Sequence, residues 1–223
     1  MSMIDPNSPL EVTTFEWVPP FARGLVRDLR VRWACEEIAL PYSVRLIGRG
    51  NRPDDYLSEQ PWGQVPVLRD GDSCMFESGA MLLWIAEREG KLLPAAGQDR
   101  ARALSWLFAA FNSVEPLLLE YVRVRVFNRE EPWAKARMPS LDEAITNRLA
   151  PVETHLAGRE WIAGAFSIAD IAMVHVLLQL GDSKLVAQFP AIADYCERAK
   201  ARPAYRQALA DQLAAFDANA PQG

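Results

Sequence analysis

A β-hairpin that leads directly into a helix is the feature that most constrains how this chain can fold. It lies in residues 63–84, which read GQVPVLRDGDSCMFESGAMLLW. The pair Asp70-Gly71 between two apolar runs is a strong signal for a tight turn, and it predicts strands at 65–69 and 74–76. After the second strand, apolar residues recur at helical spacing: Met81, Leu82, Trp84 and Ile85. The stretch therefore predicts an antiparallel strand pair followed at once by an amphipathic helix.

Pro66 lies inside the first of these apolar strands. Proline has no backbone N–H, so it belongs at the edge of a sheet or at the start of a strand. A cis bond between Val65 and Pro66 would turn the backbone N–H and C=O of Val65 outward, where they could pair with an extended peptide. The sequence therefore predicts a cis bond at Pro66 and a peptide-binding strand edge at Val65.

The start of the helix, Glu77-Ser78, has the chemistry to hold a zwitterion. We expect Ser78 to be the N-cap, with its hydroxyl accepting from an amide of the first turn. The amides and dipole of a helix N-terminus favour a carboxylate at Ser78, and Glu77 can bind an ammonium beside it. With Val65, these residues predict a site for a small peptide with an α-amino-carboxylate head. The alternative is an ordinary edge hairpin with a serine cap.

A Val-Pro strand followed by Glu-Ser at a helix start resembles the glutathione site of the glutathione S-transferase superfamily. The resemblance implies that Val65 pairs with the cysteinyl backbone of glutathione, and that Glu77 and Ser78 hold its γ-glutamyl head. Gln64 stands where the family often has a Lys or Gln, which implies a hydrogen bond to a glutathione carboxylate. A loop glutamine with no such role is the alternative for Gln64.

Length and composition limit the other functional classes. The chain has 223 residues, half of them hydrophobic, and a net charge of −5 without a basic block. A substantial core is therefore expected, and nucleic acid is not expected as the main partner. No apolar run approaches the length of a membrane span, and residues 1–11 do not resemble a secretory signal, so a cytoplasmic location and no membrane partner are expected.

Cysteine and histidine are too scattered to predict a metal site. Three cysteines lie far apart with no CxxC pair, which indicates neither a disulfide framework nor a zinc site. Cys35 and Cys74 occur in apolar patterns and are interpreted as inert core thiols. The two histidines, His155 and His175, are isolated on predicted helices. We therefore expect no metal.

The first 90 residues have the element order of a thioredoxin-like domain. A strand at 11–17, a helix ending near Ala39 and a strand at 42–47 precede the hairpin and helix. A strand–helix–strand unit implies a right-handed parallel crossover. The fold class predicted for residues 1–90 is accordingly α+β.

The rest of the chain is predicted to be entirely helical. Residues 91–98, KLLPAAGQ, are interpreted as a linker, and residues 99–223 as an all-α domain. Pro116 predicts a kink in the first long helix. Ser167 and Asp170 match a capping box, in which each side chain accepts a backbone amide of the other residue.

This second half also resembles the glutathione transferases, which place a buried Ser/Thr-x-x-Asp capping box at the start of a central helix. The resemblance covers roughly residues 11–216 and implies a glutathione transferase fold, with Pro66, Ser167 and Asp170 in structural roles. It implies that glutathione is the co-substrate, a small hydrophobic electrophile the partner, and a homodimer the assembly. Candidates for the wall of the electrophile pocket in the helical domain are Phe108, Phe111, Val114, Tyr121 and Arg125.

The group that stabilises the glutathione thiolate is where the sequence departs from the family. Members use a Tyr, Ser or Cys near the first strand–helix turn, but WVPPF has Pro19 where plant-type enzymes have serine. We therefore expect stabilisation by amides at the start of the first helix, residues 21–24, and by the guanidinium of Arg23. Thr13 or Thr14 is the rival.

The resemblance thus implies a cytoplasmic glutathione transferase that acts in detoxification. The alternative is a non-catalytic glutathione-binding or regulatory protein with the same fold. The other arginines of the first helix, Arg27, Arg30 and Arg32, are interpreted as a solvated face balanced by Glu36 and Glu37.

Overall fold

A computed structural model of the chain describes residues 1–48, 50, 52–181 and 183–221. The chain divides into two compact units, the first formed by residues 1–92 together with 201–223, and the second by residues 93–200. No described helix is both long and apolar enough to cross a membrane.

The first unit is built on a four-stranded mixed sheet with strand order β2-β1-β3-β4. The strands are β1 (Leu10–Phe15), β2 (Ser43–Ile47), β3 (Val67–Asp70) and β4 (Ser73–Met75). β1 pairs parallel with β2 and antiparallel with β3, which pairs antiparallel with β4. The predicted parallel crossover and hairpin are therefore confirmed, and the fold class is α+β with a thioredoxin-like sheet.

Three helices of this unit follow β1, β2 and β4 in turn along the chain. They are α1 (Asp28–Ile38), the short α2 (Tyr56–Glu59) and α3 (Ser78–Glu89). Alternate residues of β1, such as Leu10 and Val12, pack with apolar residues of α1 and α3, including Val31 and Met81. One face of the strand and the apolar faces of the two helices therefore form a single hydrophobic core.

The last helix, α9 (Pro203–Ala218), belongs to the first unit rather than to the helical one. It packs against α1, where Trp33 and Tyr205 meet edge to face with ring centroids 4.9 Å apart. Arg202 donates to both carboxylate oxygens of Glu37 over 2.5 and 2.7 Å. The sequence-based division at 99–223 therefore differs from the observed grouping, because long-range contacts of α9 do not show in local composition.

The second unit is helical, as predicted. Its helices are α4 (Gly97–Ala109), α5 (Glu115–Val122), α6 (Pro132–Leu156), α7 (Ile168–Leu177) and α8 (Pro190–Lys200). Two π-helical turns, Ala110–Val114 and Arg123–Phe127, flank α5. The irregularity expected at Pro116 is the π turn that ends two residues before it. The wider turn accommodates the proline, which has no backbone N–H to donate within the helix.

α7 is buried along its whole length, and its start is held by the predicted capping box. Asp170 is fully buried, and its Oδ2 accepts from Ser167 N and Ser167 Oγ over 2.8 and 3.1 Å. Its Oδ1 accepts from Ile162 N and Tyr195 Oη over 2.8 and 2.9 Å. Burial raises the pKa of this carboxyl, against the lowering effect of these four hydrogen bonds. The capping-box prediction is confirmed. The hydrogen bonds of Asp170 with Ile162 and Tyr195 were not predicted from the sequence.

Two interpretations of surface and core residues were wrong. Arg30 and Arg32 are buried, at 1% and 0% exposure. Arg30 binds Ser78 at the start of α3, and Arg32 binds the buried Asp28 carboxylate one turn earlier on α1. Cys74 is exposed, since the short β4 is the edge strand of the sheet, whereas Cys35 is buried as expected.

Candidate functional site

The segment before β3 contains the residues predicted to form a peptide-binding edge. The Val65-Pro66 bond is cis, as predicted, and Val65 is nearly buried at 6% exposure. The hydroxyl of Tyr56 donates to the carbonyl oxygen of Gln64 over 2.6 Å, which fixes the backbone just before Val65. Burial raises the pKa of Tyr56 to about 12, so this hydroxyl remains a donor at neutral pH.

Ser78 is not the N-cap of α3, contrary to the sequence-based expectation. It is the first residue of the helix, and Glu77 occupies the N-cap position without a side-chain cap hydrogen bond. Glu77 has φ 71° and ψ 110°, a conformation uncommon for a residue with a side chain. Strained backbone of this kind persists only where the surroundings fix it, and it is concentrated at functional sites.

The Ser78 hydroxyl is held by a residue that the sequence analysis assigned to solvent. Arg30 Nη1 donates to Ser78 Oγ over 3.0 Å, and both side chains are buried. Arg30 lies on α1 and Ser78 opens α3, so two helices supply one polar pair. A local sequence pattern cannot predict this contact, because the two residues are 48 positions apart.

Two other residues predicted to bind the ligand, Gln64 and Glu77, are exposed. Arg27 Nη1 lies 3.5 Å from Gln64 Oε1, at the outer limit of a hydrogen bond. The antiparallel pairing of β3 with β4 places Val65, just before β3, at the same end of the hairpin as Glu77 and Ser78, which follow β4. Gln64 adjoins Val65 in the sequence.

The turn between β1 and α1 differs from the expected helix start. Residues Pro20–Ala22 form a 3₁₀ turn, and α1 begins only at Asp28. Three of the four amides that were expected to face a thiolate have other acceptors: Ala22 N donates to Pro19 O, Arg23 N to Pro20 O and Gly24 N to Gln212 Oε1. The expectation of an amide-lined helix start at residues 21–24 was wrong, because the two prolines and Gly24, at φ +75°, shape a separate turn.

Arg23 and the two threonines of β1 have distinct surroundings. Arg23 Nη1 forms an ion pair with Asp217 Oδ1 over 2.5 Å, at 26% side-chain exposure. Thr13 Oγ1 accepts from Arg45 Nε over 2.8 Å. Thr14 is fully buried, and its Oγ1 has no hydrogen-bond partner among the residues that the structure describes.

Comparison with known proteins decides the family. Residues 29–92 match the family model of the glutathione S-transferase N-terminal domain, and residues 114–203 match that of the C-terminal domain. The disulfide-bond oxidoreductase YfcG of Escherichia coli is 31% identical over 188 residues, covering 78% of this chain and 86% of that protein. The chain belongs to the glutathione S-transferase superfamily.

Plant members of the superfamily are comparably similar. Glutathione S-transferase 3 of Zea mays is 31% identical over 181 residues, with 75% of this chain and 80% of that protein covered.

Among solved structures, a glutathione transferase of Burkholderia graminis with two bound glutathione molecules per subunit has a TM-score of 0.79 at 26% identity, covering 90% of this chain and 87% of that one. A family member from Pseudomonas fluorescens, also with two glutathione molecules, gives a TM-score of 0.80 at 24% identity over 90% of this chain and 92% of that one, and shows the fold.

In this member of the superfamily, the expected pocket residues do not share one environment. Phe108 and Arg125 are exposed and Phe111 is half-buried. Arg125 lies over the Tyr121 ring at 5.7 Å. Val114 and Tyr121 are core residues at 2% and 5% exposure, and the Tyr121 hydroxyl donates to Ser183 Oγ over 2.8 Å. The π turn and α5 direct these two side chains inward, and their place in the pocket wall stays a prediction.

The cysteines of this superfamily member lie outside the β1–α1 turn. Burial raises the pKa of Cys196 to about 12 and that of Cys35 further, so neither is a ready thiolate. Among the described residues, no group of three or more His, Cys, Asp or Glu side chains could hold a metal ion.

Proposed function

We propose that this protein binds glutathione at the junction of the cis Val65-Pro66 bond and α3, and transfers its thiolate to a small hydrophobic electrophile. The observation that carries the proposal is the placement of Ser78 and the strained Glu77 at the start of α3, directly after the hairpin that Val65 precedes. Two of the similar solved structures contain glutathione, which supports the same ligand here.

Each group has a defined part in this proposal. The backbone N–H and C=O of Val65 pair with the cysteinyl residue of glutathione, as an added strand pairs with a sheet edge. Ser78 and the amides of the first turn of α3 hold the γ-glutamyl carboxylate, and Glu77 holds its ammonium. Gln64 binds a second carboxylate of the tripeptide.

The reaction proceeds by attack of the glutathione sulfur on an electrophilic carbon. With a chlorodinitrobenzene, the thiolate forms a C–S bond and chloride leaves with the bonding electron pair, so the thiol proton is the only other product. Arg23 is proposed to favour the thiolate by its positive charge. Phe108, Phe111 and Arg125, the accessible members of the helical unit's candidate set, are proposed to contact the electrophile.

Calorimetry with glutathione tests the binding site. Ser78→Ala and Glu77→Gln are each expected to weaken binding by about tenfold, the equivalent of one lost hydrogen bond to a charged group. Exposed Glu87→Gln, on the last turns of the same helix, serves as the control and is expected to leave affinity unchanged. Unchanged affinity in both site variants would refute the assignment.

A second activity, reduction of disulfides, is favoured by the 31% identity to a disulfide-bond oxidoreductase. One glutathione thiolate attacks the substrate disulfide, releasing a thiolate and leaving a mixed disulfide. A second glutathione then attacks that mixed disulfide, so that glutathione disulfide and a second thiol result. Because no cysteine lies in the β1–α1 turn, glutathione itself supplies both thiols in this scheme.

Two assays on the same preparation separate these activities. Conjugation of a chlorodinitrobenzene supports the transferase, and glutathione-dependent reduction of 2-hydroxyethyl disulfide supports the oxidoreductase. Glutathione binding without either turnover supports the non-catalytic alternative. From the family resemblance we also propose a cytoplasmic homodimer, which light scattering of the purified protein and fractionation of cells would test.

A further inference from the structure

We propose that Arg30 is a positioning residue that sets the Ser78 hydroxyl as a donor to the ligand's α-carboxylate. The inference rests on the proposed function and deepens it, because it identifies the group of the ligand, its α-carboxylate, that the buried guanidinium of Arg30 favours. The starting observation is the 3.0 Å hydrogen bond from Arg30 Nη1 to Ser78 Oγ, between two buried side chains.

The hydrogen-bonding capacity of the two groups fixes the direction of the pair. A guanidinium only donates, whereas a hydroxyl has one donor hydrogen and two acceptor lone pairs. Since Ser78 Oγ accepts from Arg30, the hydroxyl hydrogen remains for an acceptor. A carboxylate only accepts, so it fits the remaining hydrogen, and an ammonium does not.

The structure also explains why an unsupported serine would serve less well. Around the first turn of a helix the nearby backbone groups are N–H donors, and a serine hydroxyl commonly accepts from them. Ser78 is the first residue of α3 rather than its N-cap, and among the described residues its hydroxyl oxygen accepts from Arg30. The guanidinium therefore keeps the hydroxyl from turning toward the helix amides.

Charge adds to this orientation. Arg30 is 1% exposed, and a charge away from water interacts more strongly with a nearby anion than an exposed one does. Its field adds to that of the N-terminus of α3, which favours negative charge at the same place. Both effects favour the carboxylate of the ligand's amino-acid head over the ammonium beside it.

The test compares glutathione with γ-aminobutyryl-cysteinyl-glycine, which lacks the α-carboxylate of the glutamyl residue. In calorimetry, Arg30→Met is expected to weaken glutathione binding about tenfold to a hundredfold, the range for one charge-assisted hydrogen bond. Its effect on the analogue is expected to be about twofold or less. Arg30→Lys keeps a charged donor and is expected to restore most of the preference for glutathione.

The Ser78→Ala background shows whether Arg30 acts through the hydroxyl. There, Arg30→Met is expected to weaken glutathione binding by a smaller factor than it does beside the intact serine. Melting temperature and circular dichroism report whether each variant is folded. If Arg30→Met does not fold, Arg30→Gln, which keeps an N–H donor without the charge, takes its place in both comparisons.

The outcomes are distinguishable. Equal weakening of both ligands, or no weakening of either, overturns the role of Arg30 and leaves the glutathione site standing. An undiminished effect of Arg30→Met in the Ser78→Ala background overturns action through the hydroxyl. A wild-type protein that binds neither ligand overturns the proposed function, and the inference with it.

Discussion

Gln212 Nε2 donates to Asp28 Oδ1 over 2.7 Å, although the two residues are 184 positions apart. The same nitrogen lies 3.3 Å from Val26 O, and Gln212 Oε1 accepts from Gly24 N over 3.2 Å. Asp28 Oδ2 accepts in turn from Arg32 Nε over 2.7 Å. One fully buried amide on α9 thus holds both the β1–α1 turn and the first residue of α1.

Replacing Gln212 by leucine should therefore destabilise the protein by about 2–4 kcal/mol, since it removes the hydrogen bonds that Gln212 makes to Asp28 Oδ1 and to the Gly24 amide in a buried environment. Urea unfolding, followed by tryptophan fluorescence, measures the loss. Gln207→Leu is the matched control. Gln207 is partly exposed, and its Nε2 donates to Asp211 on the same helix over 2.9 Å. We expect that control to cost about 0.5 kcal/mol or less, and equal losses in the two variants would contradict the account.

The elements of the first unit were predictable because their signals are local. The Asp70-Gly71 turn, the β-forming residues of β1 and the proline at position 66 each act within a few residues, and each appears in the structure. The capping box at Ser167 is likewise a four-residue pattern.

The features that the sequence analysis missed depend on distant partners. Arg30 and Arg32 lie near Glu36 and Glu37 in the sequence, which favoured a solvated face. Their observed partners are instead Ser78, 48 residues away, and the Asp28 carboxylate that Gln212 also binds. Local charge balance cannot distinguish an exposed arginine from one whose partner lies on another helix, because both have the same neighbours in sequence.

Asp170 is expected to serve stability rather than chemistry. Asp170→Ala removes the acceptor of four hydrogen bonds, including those of Ile162 N and Tyr195 Oη, and should lower the free energy of unfolding by about 3 kcal/mol or more. Glu143→Ala, an exposed carboxylate on α6, is the control. Folded Asp170→Ala protein that bound glutathione normally but selectively lost turnover would show a chemical role.

Glu59 should make stability depend on pH on the acid side. Hydrogen bonds from Arg45 first, and then Arg69, hold the pKa of this nearly buried carboxyl below its ordinary value of 4.5. Its contribution is therefore complete above about pH 4.5 and is lost as pH falls through the lowered pKa of the folded state. Glu59→Gln should cost about 1–3 kcal/mol at pH 7.

The difference between wild type and Glu59→Gln should shrink as the pH falls below 4, because the protonated glutamic acid resembles the amide. Urea unfolding at a series of pH values measures it. Glu16→Gln, at an exposed position of the same unit, should show no such trend. A difference that stayed constant down to pH 3 would mean that packing of the side chain, not its charge, is responsible.

Arg23 is the group expected to favour the glutathione thiolate, and its ion pair with Asp217 allows that role to be tested in both directions. The pair joins Arg23 Nη1 and Asp217 Oδ1 over 2.5 Å. Arg23→Ala removes a positive charge and should raise the pKa of the bound thiol by about one unit, with slower turnover. Asp217→Asn leaves that charge uncompensated and should lower the thiol pKa.

Ultraviolet titration of bound glutathione measures the thiolate, and Arg206→Ala, an exposed arginine on the same helix as Asp217, is the control. Thr14→Val tests the rival, because Thr14 Oγ1 is buried without a partner among the described residues. Valine has nearly the same shape, so the fold should tolerate it and only a sulfur contact would be lost. If Arg23→Ala and Asp217→Asn leave the thiol pKa unchanged while Thr14→Val raises it, the stabilising group is the strand hydroxyl, and Arg23 serves only to tie the turn to α9.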